Sequence, residues 1–218
     1  MDYILPVEFE GKGDLDIPPY LMGQLIGDGS FRSGVKITTA DEDVLERIKS
    51  ELPEGDKIVH IRKYDYRIVK TENVHDEKGY MVKSATGKAI EKYGLDGKLA
   101  FEKHIPIEYL YSSIKDRIDL LRGLFDSDAG VTTNGAEFST TSKRLAEDVS
   151  FLVRGLGGRV RTTERIGAYT KNGKRISTRK NYRVYCQFPS SISPFWLERK
   201  KKKYIPKRQR LYRVVDEL

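Results

Sequence analysis

The chain is poor in cysteine and histidine, and it has no long apolar run. Its single cysteine, Cys186, cannot form an internal disulfide, nor can it build a cysteine zinc site. The three histidines, His60, His75 and His104, are too scattered for a histidine metal motif. No apolar stretch approaches the roughly 18–20 residues of a membrane span. No signal-peptide core follows Met1. A reducing, intracellular setting is therefore expected, cytoplasmic or nucleoid-associated. A disordered or fibrous chain is excluded by 38% hydrophobic and 10% aromatic residues. The 218 residues suit one large domain or two small ones.

Positive charge is present in excess, and in one place. The formal net charge is +8, but residues 151–218 alone hold 19 Lys/Arg against 4 Asp/Glu, a net of +15. Residues 1–150 are left at −7. An anionic partner fits that segment, and so does a merely solvated basic surface.

An internal repeat changes the reading. Leu21, Gly23 and Asp28 recur as Leu121, Gly123 and Asp128, at an offset of 100. Lys103-His-Ile-Pro106 recurs as Lys203-Tyr-Ile-Pro206 at the same offset. Between them, Ile37-Thr-Thr-Ala-Asp41 resembles Phe138-Ser-Thr-Thr-Ser142 at an offset of 101, as an extra residue near Ala129 and Gly130 would produce.

Both copies predict the same order of elements. A helix ends at each repeated aspartate, over Pro18–Asp28 with Asp16 as a cap and over Ser113–Asp128. Strands follow at Val35–Thr39 and Ala136–Thr140, then helices after Asp41 and Ser142, the latter stopping at Gly157-Gly158. Alternating strands are expected over Lys57–Val69, with a turn at Lys63–Asp65, and over Arg159–Arg165 and Asn181–Phe188. Lys171-Asn-Gly-Lys174 reads as a hairpin turn. Short helices at Thr86–Tyr93 and Ser193–Lys202 close the units. Each copy is thus αββαββα, an α+β fold with two antiparallel sheets. The expected parts are an N-terminal segment (1–14), two halves (15–106 and 107–206) and a basic tail (207–218).

Gly23 and Gly123 sit inside the repeated helices, where glycine costs about 1 kcal/mol relative to alanine. Direct packing of one helix on the other would explain both. Parallel packing then sets Asp28 beside Asp128, where two carboxylates repel each other and oppose the helix dipoles. Divalent cations between them would make sense of the pair; a simple helix-ending turn at Asp28-Gly29 is the plainer alternative for one copy alone.

These segments resemble the paired LAGLIDADG motifs of homing endonucleases, in the form with both motifs on one chain. Glu102–Tyr111, Leu120–Asp128 and Phe138–Asp148 look most like endonuclease domains carried by inteins. Gly27 and Ser127 replace the penultimate alanine of the motif, and Ala129 precedes Gly130. The resemblance spans about residues 15–206 and implies a pseudo-twofold saddle that works as a monomer on double-stranded DNA. It implies Mg²⁺, replaceable by Mn²⁺, at Asp28 and Asp128 with help from the carbonyls of Gly27 and Ser127. It also implies active-site lysines at Lys103 and Lys203. The implied product is a double-strand break with short 3′ overhangs at a long site, promoting homing of the gene.

DNA-contacting candidates are side chains on or near the expected strands, where Arg159, Arg161, Arg183, Tyr185 and Gln187 fit strand alternation; in the first copy the candidates are Arg32, Lys36, Arg62, Lys63, Arg67 and Lys70. In the second they are Arg159, Arg161, Arg165, Arg179, Lys180, Arg183, Tyr185 and Gln187. Lys171, Lys174 and Arg175 form either a DNA-reaching hairpin or a solvated loop tip. Lys200–Lys203 with Lys207, Arg208 and Arg210 are expected to grip phosphate. Phe195 and Trp196 are expected in the core, and His104 is not expected to be a ligand. No splicing nucleophile stands at position 1 and the chain ends Asp216-Glu217-Leu218, so self-splicing is not expected. A non-cleaving LAGLIDADG-fold DNA-binding regulator and an RNA maturase remain as alternatives.

Overall fold

Two helices, each ending on a repeated aspartate, run side by side through the middle of the molecule, and every other element is arranged around them. The computed structural model describes residues 5–11, 14–72, 74–133, 135–171 and 174–206. The first series is α1 (Pro19–Asp28), β1 (Gly29–Ser30), β2 (Lys36–Thr38), α2 (Glu42–Glu51), β3 (Asp56–Arg62), β4 (Asp65–Lys70) and α3 (Ala85–Lys92). A 3₁₀ turn at Ala100–Glu102 and α4 (Ile107–Leu110) lead to the second series. That series is α5 (Ile114–Asp128), β5 (Ala129–Thr132), β6 (Gly135–Thr140), α6 (Lys143–Gly155), β7 (Arg159–Lys171), β8 (Lys174–Gln187) and α7 (Glu198–Lys201).

The repeat is reproduced strand for strand. The sheets are ordered β1-β2-β4-β3 and β5-β6-β8-β7, antiparallel throughout. Gly29 pairs with Ile37 and Ala129 with Phe138, which accounts for the 101-residue offset. Ala129 is therefore the equivalent of Gly29, not an insertion beside Asp128. The extra residue lies in the connection between β5 and β6, where the ladder continues to Val131–Ala136 and Thr132–Gly135.

Local chemistry sets the helix ends. Ser113 and Ser142 cap α5 and α6 by accepting from the amides of Asp116 and Leu145, at 3.2 and 3.1 Å. Asp16 does not cap α1, whose N-cap position is Pro18. Its carboxylate instead accepts from Lys92 Nζ and Tyr93 Oη, both at 2.6 Å, tying the approach to α1 onto the end of α3. Gly157, with φ of 80°, ends α6 by turning the chain left-handed.

Two expectations for the second half are corrected. The strands after α6 are much longer than Arg159–Arg165 and Asn181–Phe188, because they form one hairpin whose ladder runs from Arg159–Gln187 to Lys171–Lys174. Asn172 and Gly173, the centre of the expected turn, lie outside the described residues, as does the 207–218 tail with Lys207, Arg208 and Arg210. The last helix is only Glu198–Lys201, not Ser193–Lys202. Pro194 interrupts that stretch, and the amides of Trp196 and Leu197 donate to Asp126 Oδ2 at 3.2 and 3.0 Å instead of entering a helix.

The core runs from one half to the other through α1 and α5. Leu21, Leu25, Leu121, Leu124 and Phe125 are buried along the seam, while Ile37 and Ile68 close the first sheet and Phe138, Val184 and Cys186 the second. Phe195 is buried as expected, whereas Trp196 is 36% exposed and edges onto Tyr20. Arg117 is fully buried, donating to the carbonyls of Ser112 and Val7 and lying over Phe9, so it fastens residues 5–11 to the second half. Among the described residues no helix is long and apolar enough to cross a membrane.

Candidate active site and nucleic-acid interface

The seam is built by its glycines. A Cβ on Gly23 would lie 2.2 Å from the Leu120 carbonyl oxygen, and one on Gly123 would lie 2.1 Å from that of Tyr20. Any side chain would drive backbone into backbone. Gly27 is the next contact along, where a Cβ would collide with Ser127 Oγ at 1.9 Å. The contacts advance together on both helices, so α1 and α5 are parallel and both C-termini emerge side by side.

Asp28 and Asp128 are thereby brought together at the solvent end of the seam. Both side chains reach solvent, yet the surrounding backbone removes much of their hydration. Burial pushes the Asp128 carboxyl up to about 6, with the negative charge of Asp28 adding to the shift. Asp28 is also raised, chiefly by burial; Lys103 and Lys200 oppose the shift.

Each helix end is closed by a lysine. Lys103 Nζ, on a buried residue, donates to the carbonyls of Ile26 (2.7 Å), Gly27 (3.1 Å) and Gly29 (2.7 Å). Lys200 Nζ donates to those of Phe125 (2.9 Å), Asp126 (2.6 Å) and Ala129 (2.8 Å). These carbonyls are related by the repeat: Ile26 by Asp126 and Gly29 by Ala129. Burial lowers the Lys103 ammonium to about 8 and lowers Lys200 as well. Lys200, not Lys203, is therefore the structural partner of Lys103. Lys203 is exposed, beyond the turn that α7 makes at Lys200, so the repeated Lys-x-Ile-Pro register misassigned it.

The donor set suits a magnesium-like ion. Each helix offers one carboxylate, and such an ion typically takes one or two carboxylates and fills its shell with water and phosphate oxygens. Among the described residues no group of three His, Cys, Asp or Glu side chains gathers. The Gly27 carbonyl is already engaged by Lys103, and the Ser127 hydroxyl donates to the Leu124 carbonyl at 2.9 Å.

The sheets carry the basic candidates. Directly paired residues share a face, so Arg159, Arg161 and Arg165 stand with Gln187, Tyr185, Arg183 and Asn181 on the side of the second sheet away from α6. Arg159, Arg161, Arg165, Tyr185 and Gln187 line one concavity of about 600 Å³. On the first sheet Lys36 pairs with Arg67 on the open face. Arg32, Arg67 and Lys70 line a second concavity of about 380 Å³, with Lys70 on the core side of β4 at its end. Lys63 occupies the β3–β4 turn with φ of 44°, and Arg62 is held by Asp65 at 3.2 Å. Lys174 and Arg175 are exposed at the far end of the long hairpin.

Lys70 and Lys180 do not stand on the open faces. Lys180 lies on the α6 side, paired with Glu164 at 2.6 Å, because adjacent strand residues cannot share a face. The Arg179 guanidinium stacks on Phe101 at 3.8 Å, bridging the two halves. Sequence reasoning also missed a cluster behind the seam. Arg47 lies 3.6 Å over the Tyr20 ring and 4.9 Å over Trp196, pairing with Glu51 and Asp119. Tyr20 Oη donates to Asp126 at 3.0 Å. The only trace of this cluster in the sequence is that Asp126 breaks the repeat, where the first copy has Ile26.

Comparison with known proteins finds a family match in the second half. The family described as "LAGLIDADG-like domain" matches residues 117–187. The chain is 33% identical over 186 residues to the replicative DNA helicase DnaB of Mycobacterium intracellulare, covering 84% of the chain but 26% of the helicase. It is 30% identical over 158 residues to the replication factor C small subunit of Methanocaldococcus jannaschii, covering 71% of the chain and 8% of that protein. The chain thus spans about a quarter of the first relative's length and less than a tenth of the second's. Among solved structures, homing endonuclease I-DmoI in complex with DNA and Ca aligns with a TM-score of 0.46 at 17% identity, over 79% of this chain and 83% of that one. Its mesophilic variants align with a TM-score of 0.45 at 18% identity, over 79% and 88%. Residues 117–187, from within α5 to the end of β8, are the stretch of the chain that is similar to that family.

Proposed function

We propose that the chain is a site-specific homing endonuclease that cuts both strands of double-stranded DNA. The observation that carries this reading is the Asp28–Asp128 pair at the ends of two glycine-packed helices, between two sheets with basic open faces. The halves 15–106 and 107–206 would each lay one sheet into a major groove, leaving the seam over the phosphates between.

Asp28 and Asp128 would hold Mg²⁺, with the carbonyls of Gly27 and Ser127 within the same turn. The ion, when bound, supplies Lewis acidity at phosphate and a lowered pKa for its water. Lys103 and Lys200 hold their ammonium groups beside the carboxylates, where they would orient the nucleophile and offset charge on the phosphate. With its ammonium lowered to about 8, Lys103 can exchange a proton near neutral pH. Two such centres would cut one strand each and leave short 3′ overhangs at a long recognition site, promoting homing of the gene.

The test is cleavage of a plasmid library with Mg²⁺ or Mn²⁺, repeated with Asp28→Asn and Asp128→Asn. Double-strand cuts are expected from the parent chain and none from the double variant. Cleavage that survives both substitutions removes the aspartates from the mechanism. Specific binding without nicking under any metal favours a regulator in place of a nuclease.

A further inference from the structure

The open faces of the two sheets differ in chemistry as well as charge. On the second sheet, Arg159, Arg161 and Arg165 face Gln187, Tyr185 and Asn181 across the strand pair. Arg183 stands opposite Thr163 and is met by Glu137 at 3.6 Å. Every one of these side chains carries a hydrogen-bonding group.

The first sheet is different. Lys36, Arg67 and Lys57 share its open face with Val59 and Val69: Val59 pairs with Arg67, and Val69 with Lys57. Ile61 follows in the irregular step of the ladder between His60 and Arg62, beside the Arg62–Asp65 pair. Val59 is 42% and Ile61 45% exposed, so neither serves the core, which Ile37 and Ile68 close from the opposite side. The Thr38 hydroxyl on that face is already spent on Asp65 at 2.7 Å. An aliphatic stripe flanked by cations is what remains for a ligand to meet.

Building on the endonuclease reading, we infer that the two sheets read half-sites of opposite composition. The first sheet takes a thymine-rich half, setting Val59 and Ile61 against C5-methyl groups while Lys36 and Arg67 hold phosphate. The second takes a guanine-rich half through Arg159, Arg161 and Arg183. In the major groove an arginine fork matches O6 and N7 of guanine, whereas the thymine methyl is the apolar feature of a base edge. A valine pressed against guanine would leave two acceptors without a donor, an unmade hydrogen bond in a desolvated contact.

A randomised duplex library, selected for binding to the full chain and sequenced, tests the assignment. Recovered sites should be thymine-rich on one side and guanine-rich on the other. Arg161→Ala with Arg183→Ala should relax guanine preference about tenfold on one side only. Val59→Ala with Ile61→Ala should relax thymine preference about threefold on the other and leave the guanines intact. Val59→Thr, which keeps the branched shape, repeats the second arm if the double variant melts early. Equal composition on both sides, or a Val59 and Ile61 variant that changes no thymine position, overturns the inference alone. A pool with no enriched sequence overturns the endonuclease reading with it.

Discussion

Gly23 and Gly123 approach the opposing helix almost identically, with virtual Cβ contacts of 2.2 and 2.1 Å, while the sheets on either side have diverged. The first sheet is built on strands of 2 to 7 residues; the second extends into a hairpin of 13 and 14. The contrast has a physical origin. A seam that sets two carboxylates side by side tolerates change only if both helices change together. A sheet that meets only its own partner surface can lengthen and exchange side chains without disturbing the other half.

The largest expected effect probes the symmetric part. Gly23→Ala and Gly123→Ala should each destabilise the chain by about 3 kcal/mol or more, since the obstructing atoms are backbone oxygens that cannot rotate away. Gly130→Ala is the control, because a Cβ there meets nothing within 4 Å. Urea unfolding measures all three. A severe loss at one seam glycine and a mild one at the other would break the equivalence of the helices.

Next in size is the test of the lysines. Lys103→Met and Lys200→Met should each slow cutting of one strand about 10²- to 10³-fold, the scale of losing a preorganised charge at a reacting phosphate. Lys203→Met should stay within about threefold. Strand-resolved single-turnover cleavage reads this. Melting curves separate the loss from the lysines' second role at the helix C-termini, on the order of 1 kcal/mol each. Equal damage from Lys203→Met would restore the register suggested by the repeated Lys-x-Ile-Pro.

How much of this was legible in the sequence depended on whether the signal was local. The two motif helices, their glycines and their terminal aspartates repeat at a fixed offset, so the fold and the meeting of the two aspartates could be read directly. Lys200 could not, because its position depends on a tertiary event. Asp126 takes the amides of Trp196 and Leu197, α7 starts late, and the lysine reaching the α5 carbonyls moves three residues upstream of the matching motif. Arg47, Tyr20 and Trp196 are far apart in the chain, and no spacing rule brings them together. Alternation placed Arg159, Arg161, Arg183, Tyr185 and Gln187 on one face, while Lys180, a strand neighbour of Arg179 and Asn181, points the other way and pairs with Glu164.

The long hairpin offers a smaller test of the divergent part. Lys174→Ala with Arg175→Ala should weaken binding to all duplexes alike and reduce the slope of log affinity against log salt by about 2. Lys57→Ala on the first sheet should change that slope by no more than about 1, since its ammonium already donates to the Thr71 carbonyl at 3.1 Å. A salt-independent affinity in the parent chain would leave the +15 segment without a phosphate role.

The smallest effect separates the two aspartates. Without metal, the folded chain holds the Asp128 carboxyl at about 6, above its ordinary 3.8, so folding disfavours its charged form. That penalty is fully present above about pH 6 and fades as pH falls toward 4, where the carboxyl is protonated in the folded and unfolded chains alike. Asp128→Asn should therefore stabilise the metal-free protein at pH 7.5, by on the order of 1 kcal/mol once screening of a solvent-reaching group is allowed for, and by nothing near pH 3.5. Asp28→Asn should act in the same direction but less, because its carboxyl is held up chiefly by burial, against Lys103 and Lys200, with Asp41 adding to the shift. Thermal melts of both variants at the two pH values decide it. Equal gains would mean that the carboxylates share their repulsion evenly, whereas a loss at pH 7.5 would mean that the Asp128 charge is stabilised by the lysines more than it is opposed by Asp28.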